Sequence, residues 1–168
     1  MTLRPDPVMV RPARPHGIAS IEFAFVLVTL ALILYALATF ATVFYTQQAL
    51  ARAVEDGARA ALRQKGFVTA TPSDLADAEA NVLGAVHDSL ARSLIVPNPH
   101  ASTEQARHTW VQTHVTVQIE RPTASAVTVR VSYPYRGEGN PFPSVPLLDA
   151  ASWIPDALNS HATAALVI

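Results

Sequence analysis

Phe23 to Tyr45 reads FAFVLVTLALILYALATFATVFY and follows directly on Gly17-Ile18-Ala19-Ser20-Ile21-Glu22. These 23 residues hold no charge, no proline and no glycine, and their only aliphatic polar residues are Thr29, Thr39 and Thr42. As an α-helix they reach about 34 Å, against a bilayer hydrocarbon core of about 30 Å, so the run has spanning length. A buried helix of a soluble protein rarely extends so far without one charged face. A cleaved secretory signal has an apolar region of only about 7 to 15 residues. Ala36-Leu37-Ala38 and Ala49-Leu50-Ala51 formally offer the small-x-small sites such a signal needs, but the first lies inside the run.

On the amino-terminal side, residues 1 to 17 are MTLRPDPVMVRPARPHG, with four prolines, three arginines and one acid. This composition does not bury enough apolar surface to fold alone and reads as a flexible basic leader. On the other side the helical pattern continues through TQQALARAVEDGARAALRQKG, with Leu50, Val54, Ala58, Ala61 and Leu62 at three-and-four spacing. Gly57 weakens that stretch, and Gly66 after Arg63 and Lys65 is the expected stop.

A second helix is expected with Thr71 as N-cap, Pro72 in first position and Asp74 in the first turn. Leu75, Val82, Val86, Leu90 and Leu94 then share one face, and Pro97 with Pro99 closes the segment. From Trp110 to Glu120 the residues Val111, Val115, Val117 and Ile119 alternate with polar ones, which reads as a strand. Val127, Val129, Val131, Tyr133 and Tyr135 alternate likewise in a second strand, with Arg121 to Ser125 as hairpin loop. Pro134 places the end of that strand on an edge or at a bulge. Gly137 to Pro146 is a Gly- and Pro-rich surface loop, Leu147 to Ile154 a short helix, and His161 to Ile168 a last strand.

Composition excludes several classes of function. With 12 basic and 13 acidic residues and Lys65 as the only lysine, the chain has no basic stripe for nucleic acid. With no cysteine there are no disulfides, no thiolate chemistry and no sulfur-ligated metal. Phosphate-binding glycine loops, nucleophile elbows and His-Glu-x-x-His are missing too, so neither catalytic residues nor a cofactor are expected. His100, His108 and His114 are spaced by eight and six residues, which matches no familiar ligand pattern, and no metal is expected. The acids Asp74, Asp77 and Glu79 read as capping and a solvated face. Trp110, Trp153, Tyr133, Tyr135 and Phe142 suit either a core or an exposed binding patch, core packing being the commoner role.

Glu22 is one turn into the apolar run, short of the bilayer centre where a carboxylate costs about 2.5 to 3.5 kcal/mol. It can snorkel into headgroups. Alternatively, a cut after Gly17 would place a new α-amino group on Ile18, four residues and one helical turn before Glu22, so that amine and carboxylate neutralise each other. Small Ala19 and Ser20 permit close helix approach there.

Gly17-Ile18-Ala19-Ser20-Ile21-Glu22-Phe23, with a basic leader before and an apolar run after, resembles the cleavage motif of type IV prepilins. Glu22-Phe23-Ala24 is more particular and resembles TadE-like minor pilins or pseudopilins of the tight-adherence (Flp) pilus system. A Val-x-Val-x-Val-x-Tyr-Pro strand at Val127 to Pro134 agrees in outline. Relatives often carry proline a few residues after Glu-Phe-Ala; Val28 stands here, so the resemblance does not imply a kink. It does imply processing between Gly17 and Ile18 by a membrane aspartic prepilin peptidase on the cytoplasmic side, with Gly17 leaving room in the cleavage pocket. Glu22 would pair with the freed amine of a neighbouring subunit. Partners would be other pilins or pseudopilins and the pilus assembly platform, besides the lipid bilayer.

The expected fold is α+β: a long amino-terminal transmembrane helix extending into a small domain with a second helix and a roughly three-stranded antiparallel sheet. The expected organisation is a leader over 1–17, a membrane helix over 18–46 and an extracytoplasmic domain over 47–168, single-pass in a bacterial inner membrane. Charge does not fix the orientation, because Arg4, Arg11 and Arg14 are balanced by Arg52, Arg59, Arg63 and Lys65. Leader-inside follows from the resemblance alone. The rival function is a signal-anchored extracytoplasmic binding module in which Gly17 and Glu22 are coincidental.

Overall fold

The computed structural model describes residues 16–69, 71–123, 125–135 and 155–166. The expected leader up to Pro15, the loop Gly137 to Pro146, the short helix Leu147 to Ile154 and the last two residues lie outside these. The fold is α+β, with helices α1 (His16–Leu62), α2 (Gly66–Thr69), α3 (Pro72–Arg92) and α4 (Glu104–His114), a 3-10 turn at Asn98–His100, and strands β1 (Thr116–Thr123), β2 (Ala126–Pro134) and β3 (Ala157–Ala165). The chain divides into two units, Met1–Ala38 and Thr39–Ile168.

In the first unit, α1 runs without interruption through Val28, and every residue from Ala19 to Leu34 is exposed. Thr29 keeps its hydroxyl occupied by donating to the carbonyl of Phe25 at 2.9 Å, a bond that needs no water.

In the second unit, the last part of α1 buries Leu50, Ala53, Val54, Ala58 and Ala61. This is the three-and-four stripe, and α3 meets it antiparallel. Asn81 bonds Gln64, the Ser89 hydroxyl donates to Asp56 at 2.9 Å, and the Leu94 amide donates to the Tyr45 hydroxyl at 3.0 Å. α1 ends at Leu62, one turn before Gly66, which instead opens α2. α3 starts at the expected N-cap, although the Thr71 hydroxyl donates to the Asp74 carboxylate and caps no backbone amide. Its buried face is Ala78, Val82, Val86, Leu90 and Ala91, with Leu75 only partly covered.

Leu94 does not belong to that face. The helix stops at Arg92, Ser93 takes an extended conformation (φ −81°, ψ 166°), and the phase that aligned Leu94 with Leu90 is lost.

The segment expected as one strand from Trp110 to Glu120 is two elements. Thr103 accepts a hydrogen bond from the Ala106 amide, Glu104 occupies the first turn, and α4 runs to His114 before β1 begins at Thr116. Both periods fit this stretch, because Val111 and Val115 are two alternations apart but also one helical turn apart. Tertiary packing settles the conflict by burying the adjacent pair Trp110 and Val111, as a helix does and a strand with one buried face does not.

The sheet is an antiparallel meander in the order β1-β2-β3. Thr123 pairs with Ala126, with an irregularity between Glu120 and Thr123, so the hairpin connection is tighter than the expected Arg121 to Ser125 loop. β2 is therefore central, which excludes the edge among the two readings, edge or bulge, expected for its end at Pro134. That proline is tolerated because it is the last residue of the strand. β3 begins at Ala157, four residues before the expected start, where Ala157-Leu158-Asn159-Ser160 carries little strand signal.

Val127, Val129, Val131, Tyr133 and Tyr135 all point into the core. Tyr135 meets the Thr42 hydroxyl at 3.0 Å, and Tyr133 donates to the Ile95 carbonyl at 2.7 Å. Burial, with Tyr135 nearby, pushes the Tyr133 phenol well above its ordinary pKa and keeps it a donor. On the opposite face of the sheet, the hydroxyls of Thr128 and Thr163 pair at 2.9 Å and Arg130 lies 3.8 Å from Glu120.

At Gly57 α1 lies close against both α3 and β2. A Cβ there would lie 2.6 Å from Cγ2 of Val86 and 3.3 Å from Cγ1 of Val129. Both neighbours are β-branched and stiff, so neither moves away cheaply. Gly57→Ala is expected to destabilise the domain by about 1–2 kcal/mol despite the higher helix propensity of alanine. Gly84, in α3 with nothing within 4 Å of its Cβ position, provides the contrast. Gly84→Ala is expected to stabilise by about 0.5–1 kcal/mol. Thermal unfolding in detergent, followed by circular dichroism, distinguishes the two signs.

His87 gives a pH dependence. Burial and the nearby His108 lower its pKa from the ordinary 6.5, against a smaller upward pull from Asp88. The unfolded chain thus takes up this proton before the folded one, and stability falls as pH drops below about 6.5, levelling once the folded-state value is passed. The loss in thermal midpoint between pH 7 and pH 5 is expected to be smaller in His87→Gln than in the parent chain.

Candidate processing and assembly segment

α1 is helical from His16, so the backbone of Gly17 and Ile18 lies in its first turn. Cβ positions four residues apart lie one above the other on a helix, which places the start of Ile18 and the side chain of Glu22 on one face. Glu22 and Phe23 are both exposed, in an apolar setting of Ile21 (73% exposed), Phe23 (68%) and Phe25 (74%). Among the described residues Glu22 has no ion-pair partner.

The surrounding helix has no side turned to a core of its own. Ile21, Phe23, Phe25, Val26, Leu27, Val28, Leu30, Leu32, Ile33, Leu34, Leu37 and Phe40 are all 45% exposed or more. Fully covering each such side chain is worth about 1.5–3 kcal/mol, so the free energy favouring an apolar surrounding is large. By length and composition the helix is able to cross a membrane, with mean hydropathy 2.5 over its most apolar window, of which 6% is buried.

The other sequence candidates lie elsewhere. Trp110, Tyr133 and Tyr135 are 3%, 1% and 1% exposed and belong to the core, so they form no binding patch; Trp153 and Phe142 lie outside the described residues. His114 stacks on Trp110 with ring centroids 4.7 Å apart, and His108 lies 3.6 Å from Asp88. Among the described residues no three His, Asp or Glu side chains are grouped as metal ligands. Asp74 receives the Thr71 hydroxyl and acts at the start of α3.

Sequence reasoning missed the surroundings of Leu94. There Tyr45, Gln48, Ala49, Arg52, Asp56, Asp88, Arg92 and Ser93 line a groove of about 690 Å³ between α1 and α3. Its residues come from two segments some 40 positions apart, and no local pattern joins them.

No curated protein and no solved structure matches the chain. A family model described as TadE-like protein matches residues 17–59, a segment that begins at Gly17, contains Glu22-Phe23-Ala24 and ends within α1. Over residues 17–59, about a quarter of its length, this chain is similar to TadE-like proteins.

Proposed function

We propose that the chain is a minor pilin or pseudopilin that takes part in assembly of tight-adherence type IV pili and has no catalysis of its own. It is made with a leader that a prepilin peptidase removes after Gly17, and α1 holds it in the bacterial inner membrane with the second unit on the extracytoplasmic side. One observation carries this reading: a lone carboxylate at Glu22 stands exposed among apolar side chains, one turn after Ile18, inside the TadE-like segment.

The chemistry follows from solvation. Among the described residues Glu22 has no cationic partner beside it at the edge of the apolar run. Removal of the leader gives Ile18 a free amine, whose ordinary pKa of about 7.7–8.0 leaves it largely protonated at neutral pH. That ammonium and Glu22 of the same or a neighbouring subunit compensate each other where water is scarce, and the pairing fixes the axial register of adjacent helices. The glycine before the cut leaves the scissile peptide unobstructed by a side chain.

Intact-mass analysis of the protein purified from its membrane fraction is expected to give Ile18 as first residue, and Gly17→Ala is expected to accumulate uncut. An intact leader, or normal processing of Gly17→Ala, contradicts the reading and favours the signal-anchored binding module.

Glu22→Ala is expected to be cut normally yet to leave few sheared filaments on immunoblots of cell-surface fractions, because the amine then lacks its partner. Wild-type filament yield from Glu22→Ala would remove the pairing role while leaving processing intact.

A further inference from the structure

Ser93 to Val96 leads out of α3, and its backbone is held from three sides. The Ser93 carbonyl accepts from Arg107, the Leu94 amide donates to the Tyr45 hydroxyl at 3.0 Å, and the Ile95 carbonyl accepts from the buried Tyr133 hydroxyl at 2.7 Å. Ile95 and Val96 are buried. The Leu94 side chain is 77% exposed, the highest value among the exposed large apolar side chains of the described residues. A loosely tethered loop would turn such a leucine inward. Here the backbone on both sides is fixed, so the outward leucine is part of the construction.

The residue that holds Leu94 is also informative. Tyr45 is the last residue of the apolar run Phe23 to Tyr45, where a membrane helix leaves the hydrocarbon and tyrosine favours the interface. It is 42% exposed, and Phe44 and Phe40 before it are 64% and 46% exposed. Leu94 is thus bonded to the residue that closes the apolar run.

Charge agrees with this position. Arg92 lies two residues before Leu94, and Arg52 lies two helical turns after Tyr45 on the same side of α1; both line the groove with Tyr45 and Ser93. The acids there are occupied, Asp56 by the Ser89 hydroxyl and Asp88 by its approach to His108. Among the described residues Arg52 and Arg92 form no ion pair.

We propose that Leu94 and Tyr45 rest in the interfacial layer of the bilayer, with Arg92 and Arg52 facing the phosphates of anionic lipids. The second unit then meets the membrane at a point of its own, besides α1. This rests on α1 being a membrane helix. An apolar tip beside arginines matches the boundary between acyl chains and headgroups. One projecting leucine is a small fraction of the roughly 800 Å² per partner that a stable protein–protein contact buries.

The chain has no cysteine, so single-cysteine variants carry one bimane label each. The full chain is reconstituted in phosphatidylcholine/phosphatidylglycerol nanodiscs with and without lipid spin-labelled near the headgroup. Val28→Cys reports α1, Leu94→Cys reports the tip, and Ala80→Cys, exposed in α3 beside the residue that bonds Gln64, reports the far end.

Quenching of the Val28 and Leu94 labels but not of the Ala80 label is expected. Replacing both Arg52 and Arg92 by glutamine is expected to lower the docked-to-undocked ratio at Leu94 by roughly tenfold. Quenching at Val28 with Leu94 as unquenched as Ala80 overturns the proposal while leaving the anchoring of α1 intact. A Leu94 label shielded from water yet unquenched overturns it in favour of a protein partner or a second copy. Absence of quenching at all three sites overturns the anchoring and the proposal together.

Discussion

Water is a poor solvent for the surface that α1 presents between Ala19 and Leu34, where apolar side chains point outward all round the helix and none of the described residues covers them. The functional account depends on that constraint. Such a helix needs lipid or other helices around it, and every polar group on it must be satisfied within the helix or by a neighbour. Thr29 is satisfied by its own turn. Glu22 has no such bond among the described residues, and the amine that the proposed cut after Gly17 would create one turn away would meet that need.

The second unit obeys the opposite rule, because its apolar side chains face one another. The continuation of α1 supplies a stripe of small and branched residues, α3 packs antiparallel along it, and the buried side of β2 lies against them at Gly57. The glycine that lowers helix propensity is therefore what permits this close approach in the core. Hydroxyl groups fix the geometry at several points, with Tyr135 on Thr42, Tyr133 on Ile95 and Tyr45 on Leu94.

Much of this was legible before the fold. The length of the apolar run, the Thr71-Pro72 start of α3 and the alternation of Val127 to Tyr135 each point to one type of element. Where both periods fit, as from Trp110 to Val115, local sequence was insufficient, and the burial of Trp110 beside Val111 determined the helix. Leu94 was misplaced for a related reason. Its spacing from Leu90 is helical, but the helix ends at Arg92, and bonds to Arg107, Tyr45 and Tyr133 hold the following backbone from elsewhere in the chain. Around Gly17 and Glu22 the motif was readable because it is contiguous, whereas the pairing proposed for Glu22 involves a group that local sequence does not display.

The central claim, that the amino-terminal part of α1 resides in lipid, is tested most directly by labelling single cysteines at successive positions from 20 to 48 with a water-soluble maleimide in intact membranes. The account predicts a continuous block of about 20 unreactive positions, bounded near Glu22 and near Tyr45, that becomes reactive when the protein is denatured in detergent. Reactivity throughout the block, or protection recurring every three to four residues as for a helix with one buried face, would contradict it.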